Sequence, residues 1–66
     1  MNWNQFLNEA RKSYNFWEDE ETLTKLQDAF YNTEKDVENE GNEELDQDGW
    51  WEIAIINIEQ LGFEVK

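Results

Sequence analysis

The sequence predicts an all-α fold, a small three-helix bundle with a short extended C-terminal tail, and residues 1–66 form a single domain. Apolar residues recur at three- and four-residue steps in three separate segments, and a polar stretch that contains Gly41 and Gly49 divides the second segment from the third. Four Trp, four Phe and two Tyr supply a core that disordered acidic chains lack. With no Cys and no His, neither a disulfide nor a zinc site supports so short a chain. A mixed α+β fold with a C-terminal hairpin is the alternative.

The first helix occupies the N-terminal segment. Asn2 is a suitable N-cap, and Arg11 and Lys12 fall in the last turn, where positive charge is favourable. The residues that share its apolar face are Trp3, Phe6, Leu7, Ala10 and Tyr14.

The second helix is predicted from about Asp19 to Asn39. Acidic residues crowd its N-terminus, where the helix dipole favours them, and Gly41 can end it. Its apolar face consists of Leu23, Leu26, Phe30 and Val37. The segment from Gly41 to Gly49 is polar apart from Leu45, which predicts a loop.

The third element is rich in strand-forming residues between Trp50 and Ile58, but its apolar residues keep helical spacing. We therefore predict a helix, with an apolar face of Trp51, Ala54, Ile55, Ile58 and Leu61. Gly62 is placed to act as a C-cap, with Phe63 packing back on the helix and an extended tail continuing to Lys66.

Catalysis is not expected. Without His or Cys, neither a Ser-His pair nor a thiolate is available, and Ser13 is the only serine. A catalytic pair of carboxylates needs a cleft that separates their pKa values, which a chain this short rarely builds. The sequence therefore predicts a non-enzymatic protein without a cofactor.

The location and the excluded partners follow from hydropathy and charge. No apolar run approaches the roughly 20 residues of a membrane span, and the opening residues do not resemble a signal peptide, so a cytoplasmic protein is expected. A net charge of -12 opposes binding to anionic membranes and to nucleic acid.

Two segments imitate the start of a calcium-binding EF-hand loop. Glu44, Asp46 and Asp48 precede Gly49 at alternate positions, but Ile55 stands where the closing bidentate Glu is required. A second frame starting at Asp36 closes on Gln47. A turn whose aspartates cap the next helix is the better interpretation, so no metal site is predicted.

The acidic residues, seventeen against five basic ones, concentrate in two blocks. Ordinary exposed helices intersperse both signs, whereas here the sequence offers mainly Glu21 to Lys25 as an attractive pair. This excess predicts a partner-binding surface for a basic protein. The first block is Glu18, Asp19, Glu20 and Glu21, and the second is Glu34, Asp36, Glu38, Glu40, Glu43, Glu44, Asp46 and Asp48.

In size, charge and aromatic content the whole chain resembles the small acidic inhibitors of phages and mobile elements, including anti-CRISPR and anti-restriction proteins that mimic DNA. The resemblance implies that the acidic blocks bind the Arg- and Lys-rich surface of a nuclease or other nucleic-acid-binding protein. It leaves open whether DNA or RNA is imitated. Trp17, Trp50 and Tyr31 are the aromatic residues that either contact the partner or belong to the core.

Two other functions fit the same composition. One is an immunity protein that neutralises a toxic nuclease made by its own cell. The other is an acidic accessory domain, in the form of a homodimer whose aromatics extend a shared core.

Overall fold

A computed structural model, which describes residues 1–39 and 45–66, shows three helices and a two-stranded antiparallel sheet. The elements in chain order are α1 (Trp3–Ser13), β1 (Tyr14–Asn15), α2 (Glu20–Asn39), α3 (Gln47–Glu59) and β2 (Glu64–Val65). The predicted three-helix bundle with an extended tail is confirmed. Gly41, the predicted end of the second helix, lies outside the described residues.

Helix α1 begins with the predicted Asn2 cap, which is part of a reciprocal capping box. The Gln5 backbone N–H donates to Asn2 Oδ1 at 2.9 Å, and the Asn2 N–H donates to Gln5 Oε1 at 3.0 Å. The helix ends at Ser13, because Tyr14 adopts an extended backbone with φ -134° and ψ 151°. Tyr14 is buried as predicted, but its assignment to the helix was wrong, since it opens β1.

Helix α3 starts earlier than the sequence indicated. The predicted loop extended to Gly49, but the helix begins at Gln47, because Asp46 caps it and its carbonyl accepts a hydrogen bond from the Trp50 N–H at 3.0 Å. The interpretation of Asp46 as a capping residue is confirmed. Helical geometry through Glu59 also settles the strand-or-helix ambiguity of residues 50–58 in favour of the helix.

The C-terminal tail folds back on the end of α1. Gly62 takes a left-handed backbone with φ +80°, which turns the chain after α3 and favours glycine. Strand β2 then pairs with β1 in the register Tyr14 to Val65 and Asn15 to Glu64. Phe63 stacks on Phe16 with ring centroids 5.2 Å apart. The short sheet therefore joins the C-terminal tail to the segment that follows α1.

The core combines a cluster of aromatic rings around Phe6 with aliphatic side chains and the buried Tyr14. The Phe6 ring lies within 6.0 Å of four neighbouring rings, at centroid distances of 5.3 to 6.0 Å. These rings are Trp3, Phe30, Trp50 and Trp51. Leu26, Ala29, Ala54 and Ile58 fill the remaining space between α2 and α3. Edge-to-face ring contacts of this kind stabilise by about 0.5 to 1.5 kcal/mol each beyond burial.

One polar contact fixes how α2 and α3 face each other. Thr33 is fully buried, and its Oγ1 donates to the Ala29 carbonyl at 2.7 Å. The same oxygen accepts a hydrogen bond from Asn57 Nδ2 at 2.9 Å. Because a buried hydroxyl without partners is costly, this pairing favours one arrangement of the two helices.

Candidate partner-binding surface

Most of the first acidic block has a structural role. Glu18 accepts hydrogen bonds from Arg11 Nη2 at 2.5 Å and Nε at 2.8 Å, and Glu21 lies 3.8 Å from the Lys25 ammonium. Asp19 caps α2, since its Oδ1 accepts the Thr22 backbone N–H at 2.8 Å. Hydrogen bonding to Thr22 lowers the pKa of Asp19 below its ordinary value.

The two aspartates before Gly49 also serve the helix that follows them. Asp46 Oδ1 accepts the Gly49 backbone N–H at 2.8 Å, and Asp48 lies in the first turn of α3, where negative charge is favourable. Within residues 1–39 and 45–66, no group of three or more acidic residues is arranged to hold a metal ion.

Three acids in the second half of α2 have no comparable helix-end role. Asp36 and Glu38 lie in the last turn of the helix, where the dipole disfavours negative charge, and Glu34 lies just before that turn. The last turn of α2 contains no basic residue. Each of these three carboxylates is exposed, so burial does not explain them either.

Helical geometry divides these three acids between two sides of α2. Glu34 and Glu38 are four residues apart and share a side, whereas Asp36 is displaced from Glu34 by about 200° around the axis. Asp36 lies toward α3, where its Oδ2 accepts a long hydrogen bond of 3.4 Å from Asn57 Nδ2. The second block is therefore not one continuous surface.

Glu34 and Glu38 belong to a row of exposed polar residues that follows α2 at alternating four- and three-residue steps. We call this row the α2 stripe. Its members are Glu20, Thr24, Gln27, Tyr31, Glu34 and Glu38, and all are exposed. Among the described residues, its three carboxylates form no ion pair. The row spans about 27 Å.

The three aromatic residues singled out in the sequence have different environments. Trp50 is only 8% exposed and belongs to the core. Tyr31 is 58% exposed on the α2 stripe, with the Lys35 ammonium 4.6 Å from its ring centroid. Trp17 is 85% exposed in the segment before α2. Of these three residues, Tyr31 and Trp17 are therefore the ones accessible to a partner.

The positive charges lie mainly at one end of the molecule. Arg11 and Lys12 occupy the last turn of α1, and Lys66 Nζ donates to the Arg11 carbonyl at 2.5 Å. Lys25 and Lys35 are the two basic residues of α2. The second half of α2 and the start of α3 therefore contain a single basic residue, Lys35.

Comparison of the chain with protein-family models, with curated proteins and with solved structures finds no match. No helix in the described parts of the chain is both long enough and apolar enough to cross a membrane. Of the predicted partner-binding acids, Glu40, Glu43 and Glu44 lie outside the described residues.

The acidic blocks, which follow the order of residues along the chain, do not reveal the α2 stripe. The signal was present, because the step pattern from Glu20 to Glu38 lies on the side of α2 opposite the buried Ala29 and Thr33. The helical period of about 3.6 residues, applied to the polar residues as well as to the apolar ones, places Glu34 and Glu38 on one side of α2 and Asp36 on another.

Proposed function

We propose that the protein is a non-enzymatic inhibitor that binds the basic nucleic-acid-binding surface of another protein, as a DNA or RNA mimic in phage or mobile-element counter-defence. One observation carries the proposal. Glu34 and Glu38 lie on the same side of α2 as the exposed Tyr31, and among the described residues neither a helix cap nor an ion pair accounts for them.

The charge density of α2 supports mimicry. Eight acids and two lysines lie between Glu18 and Glu38, a segment about 30 Å long. One strand of duplex DNA carries about nine charges over the same distance, at one per 3.4 Å. A basic groove contacts one side of α2 at a time, so the three carboxylates of the α2 stripe would lie against it, and the other acids of the segment would add long-range attraction.

The mode of action follows from this similarity. A protein groove that binds phosphates attracts any dense row of anions, and long-range attraction speeds the encounter. Carboxylates on a folded helix offer no phosphodiester to cleave, so the occupied enzyme is blocked. Candidate targets are a restriction enzyme, a CRISPR effector or another nuclease of the host cell, so the proposed function includes action in the cytoplasm.

The test combines capture of partners from host lysate with two charge-matched variants. The stripe variant carries Glu20→Gln, Glu34→Gln and Glu38→Gln, and the control variant carries Asp28→Asn, Glu52→Gln and Glu59→Gln. All six positions are exposed. We expect the native protein to retain a basic nucleic-acid-binding protein that duplex DNA or high salt releases.

With the captured protein purified, the stripe variant should bind at least about tenfold more weakly, since three exposed ion pairs are lost. The control variant has the same net charge and should retain most of the affinity. Equal losses in both variants would show that only total charge matters. A captured partner that DNA does not displace would exclude mimicry.

A further inference from the structure

An open cleft of about 570 Å³ lies between the segment that follows β1 and the segment that precedes β2. Phe16 and Trp17 line one part of it, and Phe63 and Glu64 line another. Phe16 and Phe63 are stacked with ring planes 19° apart and so give the cleft an ordered aromatic wall. The pairing of β1 with β2 holds the two lining segments together.

Trp17 is unusual in this cleft because it is 85% exposed. A Trp side chain is large and mostly apolar, and most Trp residues are highly buried. Its ring makes no stacking or edge contact with the aromatic rings of residues 1–39 and 45–66. The neighbouring Phe16, by contrast, packs against the core. Packing within the described residues therefore does not explain the position of Trp17, whereas contact with a partner would.

The charge around the cleft selects for a cation. Glu64 supplies a carboxylate in the lining. The positive end of the α2 dipole lies nearby at Thr22, but Asp19, Glu20 and Glu21 offset it. On the adjoining side the Arg11 guanidinium is paired with Glu18, whereas the Lys66 ammonium donates to the Arg11 backbone carbonyl and keeps its positive charge. Glu64 and the acids before Thr22 are therefore the groups that favour a cation.

We propose that this cleft binds an arginine side chain of the basic partner, with the guanidinium stacked on the Trp17 indole and hydrogen-bonded to Glu64. The inference rests on the proposed function, because it assigns an anchoring site to the same interaction. The planar guanidinium stacks on aromatic faces and presents several donors to a carboxylate. A lysine ammonium is more strongly hydrated and lacks that plane, so it fits the site less well.

A nucleobase is the other planar group that stacks on an exposed Trp. The net charge of -12 repels its phosphates, which favours the guanidinium as the occupant. A thymidine oligonucleotide therefore serves as a probe that should not bind.

The test is an NMR titration of the full chain with a short arginine peptide, its neutral citrulline analogue and the corresponding lysine peptide. With the arginine peptide, the Trp17 indole N–H and the Phe63 and Glu64 amides should shift and saturate. Lysine should bind more weakly, and citrulline and the oligonucleotide should cause no shift. Trp17→Ala should weaken arginine binding at the cleft by at least about fivefold.

Tyr31→Ala is the matched control, since it removes the other exposed aromatic ring and leaves the cleft intact. Trp17 is too exposed for its removal to disturb the core, and the amide spectrum of the variant checks this directly. Shifts confined to the α2 stripe would overturn the cleft assignment and leave the proposed function standing. No shift anywhere would also overturn the cleft assignment, while capture of a partner tests the proposed function separately. Equal responses to arginine and citrulline, or to arginine and lysine, would overturn the choice of guanidinium.

Discussion

Tyr14 lies where α1 passes into β1, and it is 4% exposed. Burial raises the pKa of its phenol, and the nearby Glu59 carboxylate raises it further. Both causes disfavour the phenolate in the folded state. The stability of the fold should therefore depend on pH in the alkaline range through Tyr14.

The free energy of unfolding should fall as the pH rises above about 10, the ordinary pKa of tyrosine. Above that value the unfolded chain releases the Tyr14 proton while the folded chain keeps it, so each further rise in pH favours unfolding until the folded-state pKa is passed. Denaturant unfolding at a series of pH values measures this slope.

Tyr14→Phe is the control for this pH dependence, since it keeps the ring and removes the titrating group. Its stability should fall less steeply over the same pH range. Identical slopes in the two proteins would mean that the alkaline loss comes from other groups, such as the lysines.

At the scale of elements, each helix start is fixed by a side chain that the sequence places just before it. Asn2, Asp19 and Asp46 each accept a backbone N–H three residues ahead, at 2.8 to 2.9 Å. The cap on α3 bears directly on packing, because α3 contributes Trp50, Ala54 and Ile58 to the core. Residues 50–58 favour strand formation locally, so the cap and the packing together hold them in a helix.

Asp46→Ala should lower the free energy of unfolding by about 1 kcal/mol, because the Gly49 N–H loses its acceptor. For a domain of this size the melting temperature should fall by roughly 4 to 8 °C. Asp48→Ala removes the same charge from the same turn without removing the cap, so its effect should be smaller. Thermal melts followed by circular dichroism compare the two, and equal losses would assign the effect to charge alone.

At the scale of the whole molecule, a charge of -12 is held on a body of about 33 × 20 × 19 Å. The described residues contain three ion pairs, all between exposed side chains, and such pairs stabilise little. Repulsion among the remaining carboxylates therefore opposes the compact state. A binding partner that neutralises the surface would relieve it.

Added NaCl should raise the melting temperature, since the Debye length shortens to about 10 Å at 0.1 M and screens repulsion between exposed carboxylates. Calorimetry at increasing salt measures the effect. The stripe variant, with three charges fewer, should show a smaller rise. A melting temperature that fell with salt would mean that the ion pairs outweigh the repulsion.

Much of the fold could be predicted from local patterns. Asn2 and Asp46 were identifiable as caps, and the apolar steps of the three helices gave the bundle. The end of α1 could not be predicted, because Tyr14 continues the apolar face of the helix in sequence. Its extended backbone is accounted for by pairing with Val65, a residue at the far end of the chain.

The candidate site, like the fold, could be predicted from the sequence only in part. The total charge and the acidic blocks are visible in the sequence, and so is the role of the acids at helix starts. Helical spacing separates Asp36 from Glu34 in the sequence, but only the contact with Asn57 shows that the side of α2 with Asp36 faces α3. The cleft beside Trp17 needs the tail to return to β1, which no short-range pattern predicts.

The sequence by itself determined the helical class, the caps and the excess of negative charge, because these depend on side-chain type and on spacings of three or four residues. Tertiary structure alone decided that Trp50 is core while Trp17 is exposed, and that the pairing of β2 with β1 brings the two sides of the cleft together. Burial and strand pairing are set by residues distant in sequence, and they follow from how the three helices share one small core.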